Sequence, residues 1–197
     1  MTIRTLALGP LQTNCYIISA EDRPDAVVID PAGEPDRILA ALGGKTAAAV
    51  LLTHGHFDHT GGLSAFDGYP IYIHSADARM LNDPRLNLAG MVGDRASRPA
   101  ATGFVHEGDR LTLAGLEIRV LHTPGHTPGS VTYRIGDTLF TGDTMFRGSC
   151  GRTDFPGGSW AEELRSLQRL KALPGDLPVY PGHGEETSLG EERKTFY

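Results

Sequence analysis

Apolar positions along this chain change their spacing several times, and each change predicts an element. Residues 3–8, 14–19 and 26–30 carry strand-like apolar patterning broken by Gly9-Pro10 and Arg23-Pro24-Asp25, which predicts three strands joined as an antiparallel meander. Glu34 to Leu42 switches to helical spacing, placing Ile38, Leu39 and Leu42 on one face before Gly43-Gly44 closes the helix. The run Ala47-Ala48-Ala49-Val50-Leu51-Leu52 reads as a buried strand over 46–52, followed by a helix over 60–66, a strand at 71–73 and a short helix over 76–81. From 82 to 102 the periodicity dissolves. Pro84, Gly90, Gly93 and Pro99 interrupt it, yet Leu86, Leu88, Met91 and Val92 are too apolar for a solvated linker, so the stretch reads either as a lid or as a packed surface loop. Strands return at 110–113, 116–121, 131–135 and 138–140. A helix is predicted over 159–173 with Leu164, Leu167 and Leu170 as its buried stripe and Ser159 with Glu162 as a capping box, and a last strand at 178–180. The second half thus echoes the first, an inventory that suits two sheets stacked face to face with helices outside.

Candidate chemistry is concentrated after the strand at 46–52. Thr53-His54-Gly55-His56-Phe57-Asp58-His59-Thr60-Gly61-Gly62 packs four candidate metal ligands into six positions. The two-residue period of a strand would send His54 and His56 to one side, while Asp58 and His59 lie where the chain turns and so serve a second point nearby. Gly61-Gly62 permit a close approach to the helix that follows. Of the five other histidines, His126 lies in the proline-stiffened turn Thr123-Pro124-Gly125-His126-Thr127-Pro128-Gly129, and His183 lies between two glycines at the end of the last strand. Asp143 ends the strand-like run from Thr138 and can bridge two cations from there. His122 is read as a residue orienting a neighbour, and His74 and His106 as non-ligands.

Composition narrows the function class. A chain of 197 residues, 40% hydrophobic and 21% charged, is long enough for one well-buried domain spanning 1–197. A net charge of -6 and a pI near 5.7 disfavour nucleic acid. Two cysteines, Cys15 and Cys150, make no disulfide framework, and neither a signal-peptide pattern nor a membrane-length apolar run is present, so a cytoplasmic protein that engages no membrane is expected, as monomer or homodimer.

The four segments Thr-His-Gly-His-Phe-Asp-His, Thr-Pro-Gly-His-Thr-Pro-Gly, Thr-Gly-Asp-Thr and Pro-Gly-His-Gly resemble, in this order, the signature of the metallo-β-lactamase-fold hydrolases. The resemblance implies an α/β (α+β) fold, an αββα sandwich of two mixed β-sheets with the site at one edge. It implies that His54, His56 and His126 hold one metal, that Asp58, His59 and His183 hold the other, and that Asp143 bridges them. Asp58 and Asp143 are then the catalytic carboxylates. Two divalent metal ions are the implied cofactors, zinc first, with iron and manganese the other metals that nitrogen and carboxylate ligands suit.

Within that superfamily, Thr13-Asn14-Cys15-Tyr16, Gly148-Ser149-Cys150-Gly151-Arg152-Thr153-Asp154-Phe155 and Gly182-His183-Gly184-Glu185-Glu186-Thr187 resemble glyoxalase II, the hydroxyacylglutathione hydrolases, and most of all their short bacterial relatives. Glyoxalase II of full length continues into a helical C-terminal region that this chain, stopping at Tyr197, is expected to lack. The resemblance implies a small-molecule thioester substrate of the S-lactoylglutathione type, cleaved by hydroxide generated between the two metals, with Arg152 as a substrate contact. A thiolate, with a parent pKa near 8.5, leaves without the acid an amide would need. Gly-Arg-Thr-Asp-Phe also resembles the persulfide dioxygenases, which use a single iron, and hydrolysis of another ester, lactone or phosphoester is the further alternative. A β-lactamase and a nuclease are disfavoured, the first by Asp143 and the absent signal pattern, the second by the acidic balance.

Overall fold

A computed structural model describes residues 1–96 and 98–195. Twelve strands form two six-stranded sheets, each laid down in chain order. The first contains β1 (Thr2–Leu8), β2 (Thr13–Ser19), β3 (Asp25–Ile29), β4 (Thr46–Leu51), β5 (Ile71–His74) and β6 (Gly103–Val105). The second contains β7 (Arg110–Leu113), β8 (Leu116–His122), β9 (Val131–Ile135), β10 (Thr138–Gly142), β11 (Pro178–Pro181) and β12 (Thr187–Ser188). The expected meander is present as antiparallel β1, β2 and β3, after which β3 to β6 pair in parallel. In the second sheet only β10 and β11 are parallel. Both sheets are therefore mixed.

Three apolar layers hold the sheets and helices together, which makes the arrangement an αββα sandwich. One face of the first sheet packs Val28, Val50 and Ile71 against Ile38 and Leu42 of α1 (Pro35–Leu42). Between the sheets lie Ile18, Val27, Ile29 and Leu51 from the first and Ile118, Val120, Tyr133 and Phe140 from the second. The outer face of the second sheet packs Leu121, Leu139 and Val179 against Leu167 and Leu170 of α4 (Trp160–Lys171) and Leu189 of α5 (Leu189–Glu192). Each buried aliphatic side chain contributes roughly 1.5–3 kcal/mol, so these layers are the main source of stability.

Local departures from the expected pattern have identifiable causes. Leu39 stands 46% exposed, because the short α1 presents only Ile38 and Leu42, four residues apart, to the sheet. On α4 the buried set is Glu163, Ser166, Leu167 and Leu170, an i, i+3, i+4, i+7 stripe that includes a carboxylate and leaves Leu164 half-buried. Ser159 caps that helix as predicted, its side chain accepting from the Glu162 amide. The helix predicted over 60–66 is instead a single turn, α2 (Phe57–Thr60), followed by a 3-10 turn at Leu63–Phe66, and the segment predicted helical over 76–81 is a 3-10 turn spanning Ser75–Asn82. Gly61 and Gly62 interrupt the first of these because the chain there passes against the backbone after β3. A Cβ on Gly61 would lie 2.6 Å from the Ala32 carbonyl oxygen, and the Gly62 amide donates to Pro31 at 2.7 Å. Their close approach is to this loop and not to a following helix.

The described residues of the 82–102 stretch are pinned against the site as a packed wall. They include α3 (Ala89–Val92), and the Asn87 carbonyl accepts from the Phe57 amide at 2.9 Å. Buried Arg98 donates to Thr60 Oγ1 at 2.7 Å and to the Phe57 carbonyl at 3.1 Å, and it pairs with Asp94. Among the described residues no helix is long and apolar enough to cross a membrane.

Candidate metal centre

Strand ends, not strand faces, deliver the site. β3 and β4 run parallel and in register at Ile29 and Leu51, so Asp30 and Thr53 emerge together at their carboxyl ends. β10 and β11 do the same in the second sheet and release Asp143 and His183. Loops at the carboxyl ends of parallel strands are a general location for sites, because the next connection must leave the sheet there. The two edges are tied together by the Val131 amide donating to Thr53 at 2.8 Å, the Asn14 amide to Gly182 at 2.8 Å, and the Tyr133 hydroxyl to Leu52 at 2.8 Å. His54 and His56 thus lie beyond β4 rather than on it, and converge through the turn, with ring centroids 4.8 Å apart.

All seven side chains expected from the sequence meet here. His56 Nδ1 and His126 Nε2 are 2.8 Å apart, and the facing nitrogens of His54, His56 and His126 all lie within 4.8 Å of one another. Asp58, His59 and His183 form a second group of the same compactness, with His183 Nε2 3.2 Å and His59 Nε2 3.6 Å from Asp58 Oδ2. Asp143 stands between the groups. Its Oδ1 is 3.2 Å from His59 Nε2, and its Oδ2 is 3.5 Å from both His126 Nε2 and His183 Nε2. Glycine makes this possible on two sides: a Cβ on Gly182 would sit 2.1 Å from Asp143 Oδ1, and one on Gly151 would sit 2.1 Å from the Asp143 carbonyl oxygen.

Fitness for cations is decided by what the buried atoms lack and what their partners hold. His54 Nε2, His59 Nε2 and Asp143 Oδ1 are buried with no hydrogen-bond partner. In four of the five histidines the opposite nitrogen is engaged: His54 Nδ1 with Thr53 Oγ1 at 3.1 Å, His59 Nδ1 with Asp30 at 2.9 Å, His126 Nδ1 with the Arg152 carbonyl at 2.7 Å, and His183 Nδ1 with the Leu11 carbonyl at 3.2 Å. Such partners fix the ring and aim its lone pair inward, the usual setting of a ligating imidazole. Electrostatics agree. Burial and then the neighbouring rings of His59, His126 and His56 push His54 well below the ordinary histidine range, and burial followed by His126 pushes His56 down to about 3. Burial opposes ionisation of Asp58, yet His59 and His183 pull it down to about 2. For His59, burial is outweighed by Asp143, Asp58 and Asp30, which together raise it well above the usual value. Neutral imidazoles at His54 and His56 facing ionised Asp58, beside a His59 whose proton a cation would displace, suit divalent cations.

Sequence reasoning missed two supporting acids. Asp30, 2% exposed, accepts from the Thr53 amide at 2.8 Å, from Thr53 Oγ1 at 2.6 Å and from His59, so it joins the two groups, reaching His54 through Thr53. The signal available was an acid ending an apolar strand, the same signal that drew attention to Asp143. Glu163 is fully buried on α4 and accepts from the His126 amide at 2.9 Å, and burial lifts its carboxyl to about 8. No pattern pointed to it, because it occupies a helix position where the sequence favoured Leu164. A third acid, Asp77, accepts from Thr127 Oγ1 and the Gly129 amide, fastening the His126 loop to the first sheet.

The other expectations are placed as follows. His122 donates through Nε2 to the Pro128 carbonyl at 2.9 Å and stacks on His74 with centroids 4.2 Å apart, outside the seven. His106 lies 5.4 Å from His74 in the same remote group. Arg152 borders the site cavity with its guanidinium 4.1 Å above the Phe155 ring and held in a fork by Asp154, at 2.6 Å through both Nε and Nη2.

A family model described as the metallo-beta-lactamase superfamily matches residues 8–183, an interval that takes in all seven converging side chains. The chain belongs to this superfamily. Superfamily relatives include the hydroxyacylglutathione hydrolase GloC of Haemophilus influenzae, 35% identical over 99% of this chain and 96% of the relative. Similar superfamily structures include the BLEG-1 B3 metallo-beta-lactamase, with a TM-score of 0.91 and 36% identity over 97% of this chain and 96% of that one. TTHA1623 in a di-iron-bound form is also similar, with a TM-score of 0.85 and 38% identity over 98% of each chain.

Proposed function

We propose that the protein is a dinuclear metal-dependent hydrolase of thioesters, of the S-2-hydroxyacylglutathione type. The observation that carries this reading is the convergence of seven side chains in two groups about Asp143, with His54 Nε2, His59 Nε2 and Asp143 Oδ1 buried and unpartnered and the opposite nitrogens of His54, His59, His126 and His183 fastened. His54, His56 and His126 would hold one cation, Asp58, His59 and His183 the other, and Asp143, which lies within 3.5 Å of His59, His126 and His183, would serve both. Divalent cations bound there supply a hydroxide at neutral pH and an electrophile for the acyl carbonyl. The rest falls to the chain itself. Asp30 lies 2.9 Å from His59 Nδ1 and the Arg152 carbonyl 2.7 Å from His126 Nδ1, so each can accept a hydrogen bond there and would leave Nε2 free to face a cation. Phe57, Leu88, Phe146 and Phe155 line the surrounding cavity of about 290 Å³ and would exclude bulk water from the reacting carbonyl. A thiolate leaves unaided, which agrees with the lack of a free acid at the cavity wall.

Resemblance to the Haemophilus hydroxyacylglutathione hydrolase supports the thioester, and zinc or iron both suit the donors, iron being the metal of a similar solved structure. The deciding experiment is a metal-replete preparation assayed on a panel of thioesters and β-lactams, with metal content measured alongside. Close to two equivalents of metal and preferential thioester cleavage are expected. One equivalent of iron with oxygen uptake, or faster cleavage of β-lactams than of any thioester, overturns the proposal.

A further inference from the structure

The cavity at the candidate metal centre does not end there. Leu11, Phe57 and Asp58 also line a second cavity of about 590 Å³, twice the volume of the first and within the range of small-molecule sites. Its walls come from Leu8 to Leu11 after β1, from Ala32 and Gly33, and from Val92 on the pinned 82–102 wall. Leu11 and Val92 are 53% and 60% exposed, large apolar side chains left in water at its mouth. Among the described residues that line it, none is basic.

Two carboxylates in its wall are already committed. Glu34 accepts from the Gly9 amide at 2.8 Å and pairs with Arg37 at 2.8 Å, while Asp94 accepts from the Ala96 amide at 2.8 Å and pairs with Arg98. The cavity therefore offers apolar surface with no free charge to attract an anion. The smaller cavity, which alone of the two is lined by His56, His126 and Asp143, also carries Arg152 and the face of Phe155. A substrate whose carbonyl reaches the space between the two groups of donors would thus have one arm beside a cation and an aromatic ring, and the other between aliphatic walls.

We propose that the Leu8–Val92 cavity is the acyl subsite, and that the preferred acyl group is an unbranched aliphatic chain longer than lactoyl, with the polar thiol carrier on the Arg152 side. This rests on the thioester hydrolase reading and specifies its substrate class. Each methylene moved from water into such a cavity raises kcat/KM by about two- to fourfold, the upper figure for full burial.

The test is a series of 2-hydroxyacyl thioesters on one fixed thiol, from lactoyl through 2-hydroxyhexanoyl to 2-hydroxyoctanoyl. Three added methylenes should raise kcat/KM by about 8- to 60-fold. Val92→Asp, which places a charge in the wall, should collapse that ratio towards unity, whereas Met91→Asp, beside it but outside the cavity wall, should preserve it. Binding of butanoate, hexanoate and octanoate, followed by calorimetry, reads the subsite without turnover and should show the same dependence on length. A flat series for the wild type, a ratio unmoved by Val92→Asp, or a gain seen only when the chain is attached to the thiol overturns the subsite. If no thioester of any length is cleaved while the alkanoates still bind by length, the hydrolase reading falls and the apolar subsite stands. Absence of both overturns both.

Discussion

Replacing Asp30 separates support of the site from ligation itself. The carboxylate is 2% exposed and accepts three hydrogen bonds, two from Thr53 and one from His59 Nδ1. Asp30→Ala leaves three buried donors unsatisfied at about 1–3 kcal/mol each, and partial relaxation brings the expected loss to roughly 3–5 kcal/mol. Asp30→Asn is more informative because it keeps the shape. With its amide nitrogen in place of Oδ2, it can only donate towards His59 Nδ1, which moves the ring proton to Nε2, the atom 3.2 Å from Asp143 Oδ1. Flipped the other way, the amide opposes the Thr53 N–H. Either orientation should weaken cation binding by about 10- to 100-fold, the usual scale for a partner of a ligating histidine. Urea unfolding of the metal-free proteins gives the stability change, and chelator competition gives the affinity. Wild-type affinity in Asp30→Asn, or a loss under about 1 kcal/mol in Asp30→Ala, would refute the reasoning.

Four further outcomes follow from particular contacts. Asp143→Ala should lower turnover by more than about 100-fold and release metal, while His122→Ala, which loses its bond to Pro128 and its stack on His74 outside the seven, should stay within about tenfold; steady-state rates with metal analysis separate the two. Arg152→Ala should raise KM more than it lowers kcat, since a contact made equally in ground and transition states affects binding alone, and a substrate anion must first displace Asp154 from the fork. Burial, then His122 and His106, hold His74 down to about 4, with Asp109 the opposing charge. Above about 6.5 both folded and unfolded chains carry it neutral, and as pH falls from there towards 4 only the unfolded chain takes up the proton, so stability is lost across that window. His74→Asn, which keeps an acceptor for the Ala76 amide, should flatten that part of a denaturation series against pH. Burial, and then the Glu163 carboxylate, raise the half-buried Cys150 thiol to about 11, and burial raises Cys15 further, so neither should alkylate with iodoacetamide near neutral pH until the chain is unfolded, as mass spectrometry would show.

The seven candidate donors were legible because they gather in short glycine-rich segments that follow β4, β8, β10 and β11, with Asp58 and His59 on the single turn α2. The two-sheet architecture was legible from the strand patterning, and its mixed pairing only through the resemblance to the superfamily, since pairing direction depends on which crossovers occur and not on the pattern within a strand. Short elements escaped for lack of length: β6 offers only Gly-Phe-Val, and β12 only two residues. Glu163 escaped for another reason: its role exists only through a tertiary contact with His126, 37 positions away, which no local spacing encodes. Asp30 carried the strand-end signal of Asp143, and only its contact with His59, 29 positions away, lay outside what the sequence encodes.

That the strands are laid down strictly in chain order, six per sheet, has a consequence for assembly. Within the two sheets, the strand pairings from Thr2 to Val105 close in the first half and those from Arg110 to Ser188 in the second, with the isolated bridge between Thr13 and His183 crossing between them, so each sheet can form before the other is complete. The seven converging side chains divide four to three across the same boundary, with His54, His56, Asp58 and His59 on one side and His126, Asp143 and His183 on the other. A cut in the exposed turn at Glu107-Gly108 would therefore yield two fragments, each with a whole sheet, an uncovered apolar face and an incomplete set of donors. Metal uptake then becomes a reporter of reunion: neither fragment alone presents both groups, and the docking of the two apolar faces restores them in a single step.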